Sequence, residues 1–89
     1  MKEFRLQDYL KEIKGIAEAN NCGAAQAVDL FVVNLTTMSD HHKGAPNLNF
    51  RELGQAWNRL GYRDRNKQKE LATMAVAKEI RMPRARMEV

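Results

Sequence analysis

Cations concentrate in one short stretch of the sequence, between positions 59 and 69. This basic stretch contains Arg59, Arg63, Arg65, Lys67 and Lys69, with Asp64 as its one acid. On a helix, Arg63 and Lys67 are like-charged neighbours four residues apart, as are Arg65 and Lys69, and each such pair costs about 0.2–0.5 kcal/mol. Cations near a helix N-terminus also oppose its dipole, so the arrangement disfavours folding and favours the binding of an anion.

Three interpretations of the basic stretch are open: contact with nucleic acid, contact with an acidic protein partner, and a solvated face whose Lys and Arg stems cover the core. Phosphates would neutralise the cations and accept hydrogen bonds from backbone amides at the helix start. Tyr62 lies within the stretch, where its ring could stack on a base. Trp57 and Phe50 lie instead on an apolar stripe and are predicted to be core residues.

Net charge divides unevenly along the chain. Residues 1–45 contain five cations and six acids, a net charge of −1, whereas residues 46–89 contain ten cations and five acids, a net charge of +5. Three of the later arginines, Arg81, Arg84 and Arg86, lie at or just past the end of the predicted helical region. Such asymmetry indicates an anionic partner, and a loosely held basic tail suits phosphate contact.

Groups that could support catalysis or hold a metal are scarce. Ser39-Asp40-His41-His42 contains suitable residue types, but adjacent side chains diverge, and no further ligand lies at metal-site spacing. Cys22 lacks the nearby cations that would activate its thiol. The sequence also lacks glycines at phosphate-loop spacing. We therefore predict a polar loop at positions 39–42 and a non-enzymatic protein without a metal or cofactor.

Cysteine content and hydropathy indicate in which cellular compartment the protein is found. A single cysteine excludes a disulfide framework, and together with five methionines it fits a reducing interior. Met1–Leu10 alternates charged and apolar residues, unlike the apolar core of a secretory signal. The longest apolar run, Leu30–Val33, falls far short of the roughly 18 residues that a membrane span needs. These features predict a cytoplasmic protein that does not bind membranes.

Apolar residues recur at three- and four-residue spacings in four segments, which predicts four helices. The predicted helices cover about Arg5–Asn20, about Ala24–Met38, Asn49 to Leu60, and a segment from Tyr62–Asp64 to before Pro83. With 89 residues, the chain has room for one domain. We expect an all-α, single-domain bundle of about four helices over residues 1–82, followed by a short basic tail over residues 83–89.

Local signals predict how these helices begin, end and face the core. The residues suited to the left-handed conformation that ends a helix are Asn20, Asn21 and Gly23 after the first helix and Gly61 after the third. Asn49 and Glu52 form a capping box at the start of the third helix. The second helix contains β-branched pairs that favour a strand, but its long apolar pattern favours a helix at the centre of the bundle. The fourth helix is predicted to direct Leu71, Met74, Ala75, Lys78 and Met82 towards the core, with Ala72, Val76 and Ile80 close by.

Part of the chain resembles a family of helical DNA-binding modules, the high-mobility-group box. Residues 53–60 (LGQAWNRL), followed by Leu71-Ala72, resemble the second and third helices of that family. Its members bend DNA by pressing a concave surface into the minor groove. The resemblance implies phosphate contacts by Arg59, Arg63, Arg84 and Arg86.

A second resemblance is to the AT-rich interaction domain. The similar residues are Lys43-Gly44-Ala45-Pro46, Leu48-Asn49-Phe50, Leu53, Gly61-Tyr62 and Asn66-Lys67-Gln68-Lys69. They look like the helical framework of that family, so this resemblance also implies a helical DNA-binding protein.

We therefore expect a small, non-catalytic DNA-binding accessory or regulatory protein that contacts the phosphates of duplex DNA through its fourth helix and tail. The candidate contact residues are Arg59, Tyr62, Arg63, Arg65, Lys67, Lys69, Arg81, Arg84 and Arg86. Neutralising about five phosphates predicts a log–log salt slope of about −4.5. The alternative is a protein-interaction module, an inhibitor or adaptor, whose apolar surface at Leu30–Val33 binds an acidic protein partner or a second copy of the chain.

Overall fold

The structure, a computed structural model, describes residues 4–37 and 48–79. A short 3-10 turn, Leu6–Tyr9, leads directly into the first α-helix. The helices are α1 (Leu10–Asn20), α2 (Ala24–Thr37), α3 (Phe50–Arg59) and α4 (Tyr62–Glu79), and the described residues form no strand. The predicted all-α bundle of four helices is confirmed. Met38, Met82, the loop at positions 39–42 and the tail over residues 83–89 lie outside the described residues.

Two asparagines mark helix boundaries as the sequence predicts. The Asn49 side chain accepts hydrogen bonds from the backbone N–H groups of Arg51 and Glu52, both at 3.2 Å, and so caps the start of α3. Asn21 ends α1 in the left-handed conformation, with φ at 52°. Its backbone N–H reaches the carbonyl oxygens at the end of that helix, which would otherwise lack helical partners.

The predicted role of Gly61 in closing α3 is wrong. The chain leaves α3 at Leu60, whose backbone is extended, with φ at −73° and ψ at 150°. Neither Gly23 nor Gly61 adopts the left-handed conformation. An extended residue can leave a helix without the positive φ that favours glycine, and here it leads directly into α4.

The second helix lies at the centre of the bundle, as predicted, and packs against α1, α3 and α4. The buried apolar side chains are Phe4, Leu6, Ile13, Ile16, Ala17, Ala27, Val28, Phe31, Leu35, Phe50, Trp57, Ala72 and Val76. The apolar spacing of the first three predicted helices places a stripe of side chains towards the core, and all those within the described residues are buried or partly buried: Leu6, Tyr9, Leu10, Ile13, Ile16, Ala17, Ala27, Val28, Leu30, Phe31, Val32, Leu35, Phe50, Leu53, Ala56, Trp57 and Leu60. This includes Phe50 and Trp57, whose rings are therefore unavailable for stacking on bases.

Aromatic rings run through the core as a continuous chain of contacts. The Phe4 ring stacks on Tyr9 at a centroid distance of 5.5 Å and meets the edge of Trp57 at 5.8 Å. Tyr9 in turn contacts Phe31 at 6.0 Å, and Phe31 contacts Phe50 at 5.2 Å. These distances lie within the range in which aromatic pairs attract each other. Leu6 and Tyr9 belong to the first helix that the sequence predicts and lie on its apolar stripe, but the structure forms a 3-10 turn there. Phe4, which precedes that predicted helix, also joins the core.

The side chain of Gln68 joins α4 to this N-terminal segment. Its Oε1 accepts a hydrogen bond from the Leu6 N–H, and its Nε2 donates one to the Phe4 carbonyl oxygen, both at 2.9 Å. One amide thus satisfies a donor and an acceptor of a partly buried backbone, as a neighbouring β-strand would. The pair of bonds sets both the position of the segment and the rotation of α4.

The predicted core face of α4 is wrong by one residue. Ala72 and Val76 are fully buried, whereas Leu71 is 39% exposed and Met74 is 60% exposed. With Gln68 turned inward, the residues four and eight positions later share its face. The small side chain of Ala72 lets α4 pack against the bundle. Alanine is less hydrophobic than leucine, so an apolar pattern favours Leu71 over Ala72 as the core residue.

Replacing Gln68 by alanine should lower the free energy of unfolding by about 1–2 kcal/mol, because both backbone groups lose their partner. The free energy of unfolding of Gln68→Glu should lie between those of Gln68→Ala and the wild type. A carboxylate can accept the hydrogen bond from the Leu6 N–H, but it cannot donate one to the Phe4 carbonyl oxygen. Urea denaturation measures both effects. Gln55→Ala, at an exposed position on α3, is the control and should stay within about 0.5 kcal/mol of the wild type. Equal stability of Gln68→Ala and the control would contradict the role assigned to this side chain.

Stability should fall at high pH through Tyr9. Burial raises the pKa of the Tyr9 hydroxyl above its ordinary value of 10.0, and the nearby Asp8 and Glu12 carboxylates raise it further. The contribution of the neutral Tyr9 hydroxyl to the free energy of unfolding is fully present below pH 10, and it is lost as the pH rises through the higher folded-state pKa. The urea midpoint of the wild type should therefore fall more between pH 9 and about pH 11 than that of Tyr9→Phe. If the urea midpoints of the wild type and Tyr9→Phe fall equally over this pH range, the role assigned to Tyr9 is wrong.

Candidate nucleic-acid interface

The corner between α3 and α4 carries three of the predicted contact residues. Arg59 ends α3, and Tyr62 and Arg63 begin α4, so the two helices hold all three within a span of five residues. All three are exposed, and Tyr62 exposes 76% of its surface. A large aromatic ring so exposed buries little apolar surface of its own, which leaves its face available to a partner.

The N-terminus of α4 opens onto the same corner. The first backbone hydrogen bond of this helix runs from the Arg65 N–H to the Gly61 carbonyl oxygen, at 3.0 Å. The amides of the residues before Arg65 have no partner within the helix, and their dipoles give this end a partial positive charge. Gly61, Tyr62, Arg63 and Asp64 are all exposed, so this end of the helix faces solvent, with the Asp64 carboxylate beside the cations.

Arg65 has a structural role rather than a place in the corner. It is partly buried, and its guanidinium Nη1 donates a hydrogen bond to the Leu60 carbonyl oxygen. This bond ties the first turn of α4 to Leu60, the residue that follows α3. The sequence places Arg65 among the contact residues because residue spacing does not show whether an arginine side chain extends into solvent or turns back towards the protein.

Lys69 also turns towards the protein. Its Nζ lies 3.9 Å from Asp29 Oδ1 on α2, and the lysine side chain is only 38% exposed. A pair of this kind contributes less than about 1 kcal/mol because solvent screens it. Even so, it directs the lysine towards α2. The structure therefore separates Lys69 from the exposed corner.

The two predicted like-charged pairs meet different environments. Arg65 and Lys69 lie on the side of α4 that faces the bundle, where each has its own partner. Arg63 and Lys67 lie on the outer side and are both exposed. Within the part of the chain that the structure describes, no salt bridge or side-chain hydrogen bond engages either of them. The exposed cations of this region are thus Arg59, Arg63 and Lys67, while Arg81, Arg84 and Arg86 lie outside the described residues.

Other surfaces of the described residues offer few groups for catalysis or metal binding. Cys22 is partly buried where α1 meets α2, and its thiol is free. A groove of about 360 Å³ between the 3-10 turn and α4 is lined by side chains that include Arg5, Asp64 and Lys67. No group of three or more metal-ligating side chains occurs among residues 4–37 and 48–79. His41 and His42 fall outside those ranges.

None of the helices in the described ranges has the length and apolar character needed to cross a bilayer. Comparisons with protein-family models, curated proteins and solved structures find no match to this chain. The resemblances to the high-mobility-group box and the AT-rich interaction domain therefore stay predictions, which depend on the residues quoted for them.

Two arginines of the predicted site should affect stability differently. Arg65→Gln removes a hydrogen bond from a charged donor and should lower the free energy of unfolding by about 1 kcal/mol. Arg63→Gln removes an exposed cation from a helix N-terminus and should leave stability unchanged or raise it by about 0.3–1 kcal/mol at low salt. Thermal or urea unfolding of both variants measures the difference. Equal losses would show that Arg63 is a structural residue and would remove it from the candidate site.

Proposed function

We propose that this protein is a small, non-catalytic DNA-binding accessory or regulatory protein whose contact surface is the corner between α3 and α4. The observation that carries the proposal is the grouping of Arg59, Tyr62 and Arg63 at an open helix N-terminus. None of their side chains has a hydrogen bond, ion pair or ring contact within the described residues. Lys67 follows one turn later on the outer side and extends the surface.

Phosphate chemistry fits this corner better than a purely structural role. Arg63 and Lys67 repel each other at a spacing of four residues, and Arg63 opposes the dipole of α4, although Asp64 stands in the same first turn. Arg59, in the last turn of α3, instead interacts favourably with the dipole of that helix. A phosphate would accept hydrogen bonds from the guanidinium groups and from backbone amides of the first turn. The same contact would neutralise the charges that disfavour the fold. The exposed Tyr62 ring, beside the cations, could pack on a sugar or an unstacked base.

The partner we propose is duplex DNA, held through its phosphates. Contacts of this kind position a protein on DNA but read no sequence by themselves. The arginines at positions 81, 84 and 86 extend the same basic character along the chain, and we include them in the proposed contact set. We exclude Arg65 and Lys69 from this contact set because each has a partner within the fold.

A cytoplasmic location and a non-enzymatic role are part of the proposal. The free thiol of Cys22 is compatible with a reducing compartment. The corner presents cations and an aromatic ring, groups that bind phosphates and bases, rather than a nucleophile with an adjacent base. We therefore assign it binding without catalysis.

The alternative, a protein-interaction module, has less support from its predicted surface. Phe31 is fully buried, and Leu30 and Val32 are partly buried against the core. Of the apolar run at Leu30–Val33, Val33 alone is largely exposed, at 55%. A single exposed valine is ordinary on a protein surface and does not form a patch.

Arg59→Gln together with Arg63→Gln should weaken DNA binding and reduce its salt dependence. Each phosphate contact contributes about 0.9 to the log–log salt slope, so the double variant should have a slope smaller by about 1.8. Fluorescence anisotropy with a labelled duplex of generic sequence, titrated at several salt concentrations, gives both the affinity and the slope.

The matched control is Lys11→Gln with Arg51→Gln, which removes two exposed cations from α1 and from the start of α3. This control has the same net charge as the test variant but keeps the corner. It should retain most of the affinity and nearly the full slope. Equal losses in both variants would mean that only net charge matters, and a wild type that binds no duplex would refute the proposed function.

A further inference from the structure

The groove of about 360 Å³ beside α4 brings together cations from distant parts of the chain. Arg5 and Gln7 line one wall, which belongs to the N-terminal segment, and Asp64, Lys67 and Leu71 line the other, which belongs to α4. The volume is within the range of clefts that hold small ligands. A cation from each wall therefore borders the same space.

The backbone of Arg5 is held in place on both sides. Gln68 accepts a hydrogen bond from the Leu6 N–H and donates one to the Phe4 carbonyl oxygen, so the residue between them is fixed against α4. Arg5 is extended, with φ at −136° and ψ at 122°, and side chains alternate in direction along an extended chain. Because Phe4 and Leu6 are buried, Arg5 points outwards, and it is exposed.

The fold leaves both cations of the groove with free hydrogen-bond donors. The Arg5 Nη2 donates to Gln7 Oε1 at 3.2 Å, which occupies one of the five N–H groups of the guanidinium. The Lys67 ammonium has no side-chain partner in the part of the chain that the structure describes. In the same part of the chain, neither cation forms a salt bridge with Asp64, although all three line the groove.

Acidic residues near the groove do not cancel these cations. The two cations and the Asp64 carboxylate give the lining a net charge of +1. Asp64 also interacts favourably with the dipole of α4, so its presence has a structural reason. Glu70 lines a different groove, together with Lys69. The other acid nearby in sequence, Asp8, lies close to the Tyr9 hydroxyl and does not line the groove.

We propose that Arg5 and Lys67 hold one phosphate of the bound duplex between them, an inference that rests on the proposed function. Guanidinium and ammonium groups both donate charge-assisted hydrogen bonds to phosphate oxygens. Lys67 follows Arg63 by one turn of α4, so the groove continues the phosphate surface from the corner to the N-terminal segment. Asp64, between these two cations in the chain, repels the phosphates and limits the affinity.

The net charge of the groove favours a polyanion over a small free anion. A single phosphate gains little from a net charge of +1, whereas a duplex is held by several phosphates at once. Residues 1–45, to which Arg5 belongs, have a net charge of −1, so composition does not identify this arginine as a contact. The Gln68 hydrogen bonds are what place it beside the basic start of α4.

Arg5→Gln with Lys67→Gln should reduce the log–log salt slope of duplex binding by about 0.9, the contribution of one phosphate contact. The affinity advantage of the wild type over this double variant should then shrink about 3.5-fold between 50 and 200 mM salt. Because the two residues share one phosphate, each single variant should lose most of the contact, and the single losses should sum to more than the double loss. Fluorescence anisotropy with the labelled generic duplex measures all three variants.

Matched controls separate the groove from net charge. Lys11→Gln with Arg51→Gln removes two exposed cations elsewhere and should keep nearly the full slope. Arg5→Lys keeps the charge and should keep the slope as well.

Asp64→Asn should strengthen duplex binding by about twofold to fivefold, with the larger effect at low salt. Its control is Glu52→Gln, which removes an exposed carboxylate from the first turn of α3 and should change binding less. Circular dichroism confirms that each variant is folded. The comparison of Asp64→Asn with Glu52→Gln leaves the N-terminal segment intact, so it decides the question if Arg5→Gln does not fold.

Three results would overturn this inference while the wild type still binds duplex DNA. They are an unchanged slope in the double variant, additive losses in the two single variants, and equal binding by Asp64→Asn and Glu52→Gln. Each leaves the proposed function in place, because the Arg59 and Arg63 substitutions test the corner separately. A wild type that binds no duplex would instead refute the proposed function and this inference together.

Discussion

The two hydrogen bonds of Gln68 to the backbone of Phe4 and Leu6 determine what every other residue of α4 can do. They join positions 62 and 64 residues apart in the chain and fix the rotation of the helix about its axis. With Gln68 inward, Ala72 and Val76 enter the core. Arg65 and Lys69 face Leu60 and Asp29. Thr73 and Ala75 are partly buried, and the remaining positions of the helix are exposed. A rotation by one residue would bury Leu71 instead and would change which cations are exposed.

The first three helices could be predicted from the sequence because each has its apolar residues on one side. In α3, for example, Phe50, Leu53 and Trp57 form a single stripe, and the structure buries or partly buries all of them. Apolar residues of α4 lie on more than one side, so periodicity does not select a face. The selection depends on a glutamine and an alanine, residue types to which a hydropathy pattern gives little weight. It also depends on an N-terminal segment that does not belong to an α-helix.

The same constraint separates what could be predicted of the candidate site from what could not. Local composition was enough to locate the cations at the start of α4 and to place Tyr62 among them, because both follow from sequence position. Whether a given cation is exposed depends on the rotation of the helix and on neighbours from other parts of the chain. Arg65 and Lys69 are of the same residue types as Arg63 and Lys67, yet only the latter pair faces solvent.

The outer side of α4 combines features that a sequence selected for stability alone would avoid. Arg63 stands in its first turn, where an acidic residue, such as the neighbouring Asp64, interacts favourably with the helix dipole. Large apolar side chains stand on its exposed centre, where polar residues of equal helix propensity would serve the fold as well. Both departures lie on the one side of the helix that the Gln68 contacts turn away from the core. Departures from local rules concentrate at functional sites, and their confinement to one side argues that this side of α4 is retained for contact with a partner.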